Sequence, residues 1–281
     1  MATFNKTVTS FGAAALLVPA LLACGRGNPP AHPAHPGHGR THLTATQILQ
    51  VDYESGTPDS GLPGLSSTDA TAPDAAAVVR PGEQSAYAIQ HKVTLGDPGY
   101  FSDGAPRSES ATDRLPNGVF HIGDTQRYEF SVLLKDWQPY QPGDSDTGDI
   151  IFQGKYSGGQ PPAFYFMTKR NAIAFRSPQM SRQTTVVSDF RPYVNQWLDF
   201  RVDAKWATDQ TGYFQVSVRL PGQSDYQQMA SYTDVATWQP SSAADYGYLK
   251  WGLYRPAESL ANDDVATRIV QHDNIRVFDL S

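Results

Sequence analysis

Leu198-Asp199-Phe200-Arg201-Val202-Asp203-Ala204-Lys205-Trp206 alternates apolar and charged side chains without a break. Strand side chains point to opposite faces in turn, so this run has one face for a core and one for water. On a helix the same order would spread charge around the whole cylinder. Outward along the chain the pattern recurs. Arg127 to Leu134 puts Tyr128, Phe130, Val132 and Leu134 on one face, and Tyr213 to Leu220 does the same with Phe214, Val216, Val218 and Leu220. Ile275 and Val277 begin a closing strand, and Ile48–Tyr53 reads as an opening one. Turn residues separate the runs, as at Asp97-Pro98-Gly99, Gln141-Pro142-Gly143-Asp144, Ser157-Gly158-Gly159 and Pro221-Gly222. Half-buried strands so punctuated predict an all-β fold: a two-sheet antiparallel β-sandwich of jelly-roll, concanavalin-like form. Residues 55–80, rich in Ser, Thr, Asp, Ala, Gly and Pro, read as a long surface loop. No long helix and no internal repeat is evident.

The N-terminus reads as a targeting segment. Lys6 precedes an apolar run from Phe11 to Ala23, too short to span a bilayer as a mature helix. The run ends Leu21-Leu22-Ala23-Cys24-Gly25, which resembles a bacterial lipoprotein signal. That resemblance implies cleavage after residue 23, lipidation of Cys24, and outer-membrane sorting because Gly rather than Asp follows the cysteine. An unlipidated secretory peptide is the alternative; either way the chain is exported. Cys24 is the only cysteine, so no disulfide can form within the chain. Residues 24–41 form a Pro/Gly/His tether, and 42–281 one domain. His32, His35 and His38 in the tether read as spacer rather than metal site, because nothing fixes their geometry.

All 28 acidic residues and 19 of the 22 basic ones lie from Asp52 onward, leaving the mature domain near −9. Such a charge argues against nucleic acid as partner. Residues 150–205 run the other way, with eight basic groups against Asp189, Asp199 and Asp203. This local excess suits an anionic ligand, or it is solvated charge scattered on outer strand faces.

Three segments place polar side chains two apart. Arg107-Ser108-Glu109 and Gln153-Gly154-Lys155 each put a pair on one face. Tyr248-Leu249-Lys250-Trp251-Gly252-Leu253-Tyr254-Arg255 turns Leu249, Trp251 and Leu253 one way, and Tyr248, Lys250 and Tyr254 the other, with Gly252 leaving room for a ligand. These motifs, in this order, resemble those of β-jelly-roll polysaccharide lyases: the heparin lyase I and glucuronan lyase group and, more distantly, alginate lyases. Those families carry Arg-x-Glu, Gln-x-His and Tyr-x-Lys-x-Gly-x-Tyr. Asp52-Tyr53-Glu54-Ser55-Gly56, Trp206 and His272-Asp273-Asn274-Ile275-Arg276-Val277 extend the likeness over roughly residues 48–281.

The resemblance implies an exported lyase that cleaves a uronate-containing anionic polysaccharide by β-elimination. Gln153 and Arg107 would hold the enolate-like charge, Tyr254 would protonate the leaving oxygen, and Lys250, Tyr248, Glu109 and Arg255 would bind substrate. Lys155 stands where the family has histidine. A lysine is a poor base unless desolvated or placed beside other cations. Three readings stay open: Lys155 clamps a carboxylate while Tyr254 serves as base and acid; His121 or His91 supplies the base; or the chain binds glycan without cutting it. A glycoside hydrolase is disfavoured, since the five glutamates form no close acidic cluster on a strand. No cofactor is required, no metal-ligand spacing is present, and a structural calcium is compatible but not indicated. A monomer is expected.

Overall fold

The computed structural model describes residues 45–281, apart from 145, 147, 240–243, 259 and 263. The signal segment 1–23, Cys24 and the tether to residue 41 lie outside the described residues. The alternating runs of the sequence become neighbours in one sheet. Sheet I runs β14 (Gln227–Val235), β13 (Gly212–Arg219), β12 (Trp197–Lys205), β7 (Thr125–Lys135), β16 (Thr267–Asp279), β3 (Ala88–Thr94) and β2 (Ala76–Val79), with β1 (Thr46–Val51) also on β16. Sheet II runs β11 (Arg182–Val187), β10 (Ala172–Ser177), β9 (Phe164–Lys169), β8 (Ile150–Tyr156), β15 (Gly247–Tyr254), β5 (Ala105–Ala111) and β4 (Phe101–Ser102), with β6 (Val119–Phe120) also on β15. These strand pairs are antiparallel, and among the described residues the only helical elements are single 3-10 turns.

Aromatic rings meet between the sheets. Phe130 of β7 stacks on Phe152 of β8 with centroids 3.8 Å apart, and on Phe200 of β12 at 5.2 Å. Trp206 stacks on Phe120 at 4.0 Å and donates its indole N–H to the Tyr128 hydroxyl at 2.8 Å. Trp251 donates likewise to Tyr53 at 2.8 Å. Each ring pair adds roughly 0.5–1.5 kcal/mol beyond its buried area. The two inner hydrogen bonds remove the cost of hiding polar edges.

Two expectations change. The loop expected over 55–80 ends in strand β2, which lies at the edge of sheet I. Its Ala-Ala-Val-Val sequence carries no alternation to betray it. The closing strand begins at Thr267, well before Ile275, because Ile269 and Val270 continue its pairing with β7 and β3.

His91 of β3 and His272 of β16 are both fully buried between the layers, edge to face with centroids 6.1 Å apart. Burial holds His91 down to about 4 and His272 well below its usual value. His91 therefore sits inside the sandwich and is not free to act as a surface base. An unfolding chain takes up protons below pH 6.5 that the folded rings refuse. Stability from these groups is present above that pH and lost as pH falls toward about 4. Asp149, held up by burial and by the Glu258 carboxylate, and Asp273, held up by burial to about 6, act in the opposite sense, so a difference between variants is the informative readout. In urea titrations at pH 7 and pH 5, His272→Leu should lose less stability on acidification than the parent, by about 1.4 kcal/mol per pH unit for one withheld proton.

Candidate active site

Three neighbouring strands of sheet II carry the motif residues on its outer face. In register, Lys250 of β15 lies between Ala111 of β5 and Gln153 of β8, Tyr248 opposes Lys155, and Tyr254 opposes Arg107 and Ile150. The partners Phe152 and Gly154 turn inward. A Cβ on Gly154 would lie 2.5 Å from the Phe164 ring, so glycine is what lets that ring pack beneath the site. Gly252 differs from its expected role. It sits at an irregularity between Trp251 and Tyr254 with φ +143°, and a Cβ there would lie 2.3 Å from the Ser108 carbonyl oxygen and 2.7 Å from Glu109 Cα. The close approach is that of strand β5, not of a ligand.

Glu109 is the centre of the arrangement. Gln153 donates its amide to Glu109 Oε1 at 2.6 Å, Lys250 Nζ stands 2.9 Å from Oε2, and Arg107 Nη1 stands 3.8 Å from Oε2. Glu109 is 4% exposed, Gln153 3% and Lys250 6%. These three form a floor. Glu109 does not present itself for ligand contact, as the sequence reading had it; its oxygens are turned to its own neighbours. Arg107, Lys155, Tyr248 and Tyr254 rise from that floor, each partly exposed.

The guanidinium of Arg107 lies over the Tyr254 ring at 4.0 Å and donates to the Asp103 carbonyl at 3.1 Å. Lys155 donates to the Gln160 carbonyl, and burial, then Lys250 and Arg107, depress its proton affinity below that of an ordinary lysine. Tyr248 is pushed the other way, up to about 12, by burial and then by Asp113 and Glu109. A cleft of about 120 Å³ opens beside Lys250 and Tyr248, walled by Asp69, Asp103 and Asp113.

Two candidates fall elsewhere. His121 is exposed in the turn after β6, where its backbone N–H donates to Asp124 at 2.8 Å, and it joins none of the contacts above. Arg255 is fully buried and reaches no surface. One residue beyond the strand, it turns into the protein and donates to Glu258 at 2.6 Å and to the Ala266 carbonyl at 3.0 Å, with Asp149 at 3.3 Å. Arg268 closes the network 3.2 Å from Asp149 and stacks on Trp137 at 4.6 Å. Asp149 precedes β8, Arg255 follows β15, and the Arg255 N–H donates at 2.9 Å to the Pro106 carbonyl just ahead of Arg107. The network ties together the ends of all three site strands.

The basic excess over residues 150–205 is not a single field. Arg201 pairs with Glu129 on sheet I at 2.7 Å, Arg191 with Asp189 at 2.8 Å and Arg170 with Asp146 at 2.7 Å. Arg176 does reach the site sheet, paired in register with Tyr165 of β9, whose own partner across β8 is Gln153. The sequence reading missed Tyr165, Arg176 and Asp103. The alternation of Tyr165 and Met167 with buried Phe164 and Phe166 was the available signal for the first.

A family model described as polysaccharide lyase matches residues 52–276. Among solved structures, an endo-β-1,4-glucuronan lyase from the fungus Trichoderma reesei is similar at 20% identity and TM-score 0.55, over 83% of this chain and 95% of that one. A marine alginate lyase from Aplysia kurodai is similar at 12% identity and TM-score 0.57, over 84% of this chain and 100% of that one. Identities this low show a common fold. A comparison with curated protein sequences returns no match.

Removing one member of a buried ion network leaves the others uncompensated. Arg255→Met should cost about 3–5 kcal/mol in denaturant unfolding. A loss below about 1 kcal/mol, the range of surface pairs, would mean that the network is not closed in solution.

Proposed function

The chain belongs to the polysaccharide lyase family, and from that premise we propose that it is an exported, lipid-anchored enzyme cleaving a uronate-containing anionic polysaccharide by β-elimination. The observation that carries the reading is the gathering of Arg107, Gln153 and Lys250 around Glu109, with Tyr254 against Arg107. Both structural relatives are named for uronate polymers, which supports the substrate class.

The chemistry follows from charge. The proton on the carbon beside a sugar carboxylate is hard to remove until that carboxylate is neutralised. Arg107, Lys155 and Lys250, with the Gln153 amide, face two anions, Glu109 and the exposed Asp103 carboxylate 3.6 Å from Arg107, so one positive charge and N–H donors remain for a substrate carboxylate. With the substrate carboxylate held there, a base takes the proton. The electron pair moves into the ring to form a double bond, and the bond to the glycosidic oxygen breaks. An acid returns a proton to that oxygen. Tyr254 serves as base and then acid, with the Arg107 guanidinium stabilising negative charge that develops on the phenol. Lys155 grips the acidic sugar.

A second reading has its own support. Lysine becomes a base when it is desolvated and beside other cations, and both conditions act on Lys155. Lys155→Met distinguishes the two: as a clamp it should raise KM more than it lowers kcat, whereas as the base it should abolish turnover at unchanged affinity. A non-catalytic glycan-binding lipoprotein is the remaining alternative.

Turnover should appear as ultraviolet absorbance of the new conjugated double bond when the protein meets polyglucuronate, alginate, heparin-type or pectic polymers. Tyr254→Phe should lower kcat by about 10²–10⁴ while leaving the melting profile intact. Absence of product from every polymer in the panel, with binding retained, would sink the enzymatic reading. For the anchor, Cys24→Ala should move the protein from the membrane to the soluble fraction of cells that export it.

A further inference from the structure

Four of the five tryptophans are buried and partnered. Trp206 stacks on Phe120, Trp251 donates to Tyr53, Trp238 packs on Tyr156 at 4.7 Å, and Trp137 lies under Arg268. Trp197 is the exception. It is half-buried at the start of β12, and among the described residues its indole meets no ring, no cation and no hydrogen-bond acceptor. Its neighbour Leu198 is fully buried, so Trp197 points outward from sheet I, on the side of the sandwich opposite the candidate active site.

Two clefts share this ring. One, of about 430 Å³, lies between the Arg80–Gly82 loop and Lys135, with Gln271 on its floor. The other, of about 340 Å³, runs on past Gln196 to the 220–224 turn; Glu83 and the paired Asp199 and Arg219 line it, so an acidic group is better placed in the first cleft. Volumes of this order suit a bound ligand. The walls are held. Asp273 accepts from the Glu83 N–H at 2.8 Å and from the Ser85 hydroxyl at 2.6 Å, which pins the 80–85 loop. On the other side Asn195 and Asp136 bond in both directions, at 2.8 and 2.9 Å. The 220–223 turn is closed by paired bonds of 3.0 Å between Leu220 and Gln223. The groove thus exists before any ligand arrives, which lowers the ordering cost of binding.

Its chemistry is particular. A flat indole offers an apolar platform with a polar edge. Gln271, in contact with Gln90 at 3.2 Å, supplies amide donors and acceptors, and Lys135, partly exposed and 3.3 Å from Asp136, supplies with Arg80 two cations against that one carboxylate. A pyranose ring has matching parts: an apolar C–H face, hydroxyls at its rim and, in a uronate, a carboxylate. We propose that this groove is a second, non-catalytic binding site for an acidic glycan strand, with one sugar ring stacked on Trp197 and a carboxylate toward Lys135. The identity of the polymer rests on the lyase reading. A site on the far sheet would hold the enzyme on its substrate while the other face works, raising the local concentration of cleavable chain.

The test is retardation in native gels containing polyglucuronate or alginate, with a neutral glucan as control. The protein carries Tyr254→Phe so that the gel polymer is not consumed, and Arg107→Ala to weaken the first site. Adding Trp197→Ala should weaken the remaining retardation about five- to tenfold, the scale of one aromatic contact. Trp197→Phe should restore most of it. Lys135→Glu should weaken retardation by the acidic polymers and leave the neutral control unchanged, which keeps the test valid if Trp197→Ala melts early. Undiminished retardation in both Trp197→Ala and Lys135→Glu overturns the proposal. If no polymer yields unsaturated product yet Trp197-dependent retardation persists, the lyase reading falls and the groove stands. If product forms while Trp197→Ala binds as tightly as its parent, the groove falls alone.

Discussion

A carboxylate almost without solvent, on the outer face of a sheet, is the constraint around which sheet II is arranged. Burying Glu109 uncompensated would cost several kcal/mol. The cost is offset only because a lysine from β15, an arginine from its own strand and an amide from β8 all turn toward it. Each donor depends on register: one slipped residue in β8 or β15 would send Gln153 or Lys250 into the aromatic core. The carboxylate therefore enforces the alignment of three strands while it positions the groups that would meet a substrate. Gln153 spends one amide hydrogen on Glu109 and keeps another. Lys250 is held to Oε2 as an ion pair and keeps its donors. The floor is ordered before any ligand binds.

The inner layer and the strand ends complete this framework. Phe152 and Gly154 alternate with Gln153 and Lys155, so the same strand that presents the site also supplies rings to the core. At one end of the three strands the Arg255 network joins Asp149, Glu258 and Arg268 in a buried cluster. Tyr254 lies one residue from this anchor and just beyond the irregularity at Gly252. Its position is fixed by backbone geometry on one side and by buried charge on the other. Sheet I uses its outer charges differently. Glu129, Arg201, Asp199 and Arg219 pair with one another across strands, and Tyr226 covers both arginines. That face is electrically quiet, apart from the groove around Trp197.

Period-two alternation made much of this legible. It identified β7, β12 and β13 and their core faces, and it put Arg107 with Glu109, Gln153 with Lys155, and Lys250 with Tyr254 on common faces. The rule states which residues share a face, and it is silent on which strands are neighbours; that three motifs far apart in sequence become adjacent needed the fold. It also fails beyond a strand's end, which is why Arg255 turned inward against expectation. Strand β2 escaped because four small apolar residues show no period. His91 was misplaced although the rule covers it: Ile89 and Val93, two positions either side, put it on the inner face, while Gln90 and Lys92 face out. Summed charge over 150–205 was a poor guide, since three of its eight cations pair with acidic neighbours and the others are divided between the two sheets.

The motif Tyr-x-Lys-x-Gly-x-Tyr holds two phenols that sequence alone treats as equivalent. Their neighbours separate them. Tyr248 stands near Asp113 and Glu109, partly shielded from water, and the resulting rise to about 12 keeps its proton on near neutrality. That residue can donate a hydrogen bond or a proton, and it is unsuited to taking one. Among the described residues Tyr254 meets no carboxylate, and a guanidinium is stacked on its ring. On the proposed lyase reading, the same strand would present one phenol to hold a sugar hydroxyl and another to exchange a proton. What divides the roles is the sequence of β5, where Arg107 faces one phenol and Glu109 lies on the way to the other. A lyase of this fold would be specified as much by the order Arg-x-Glu on one strand as by the tyrosines on the next.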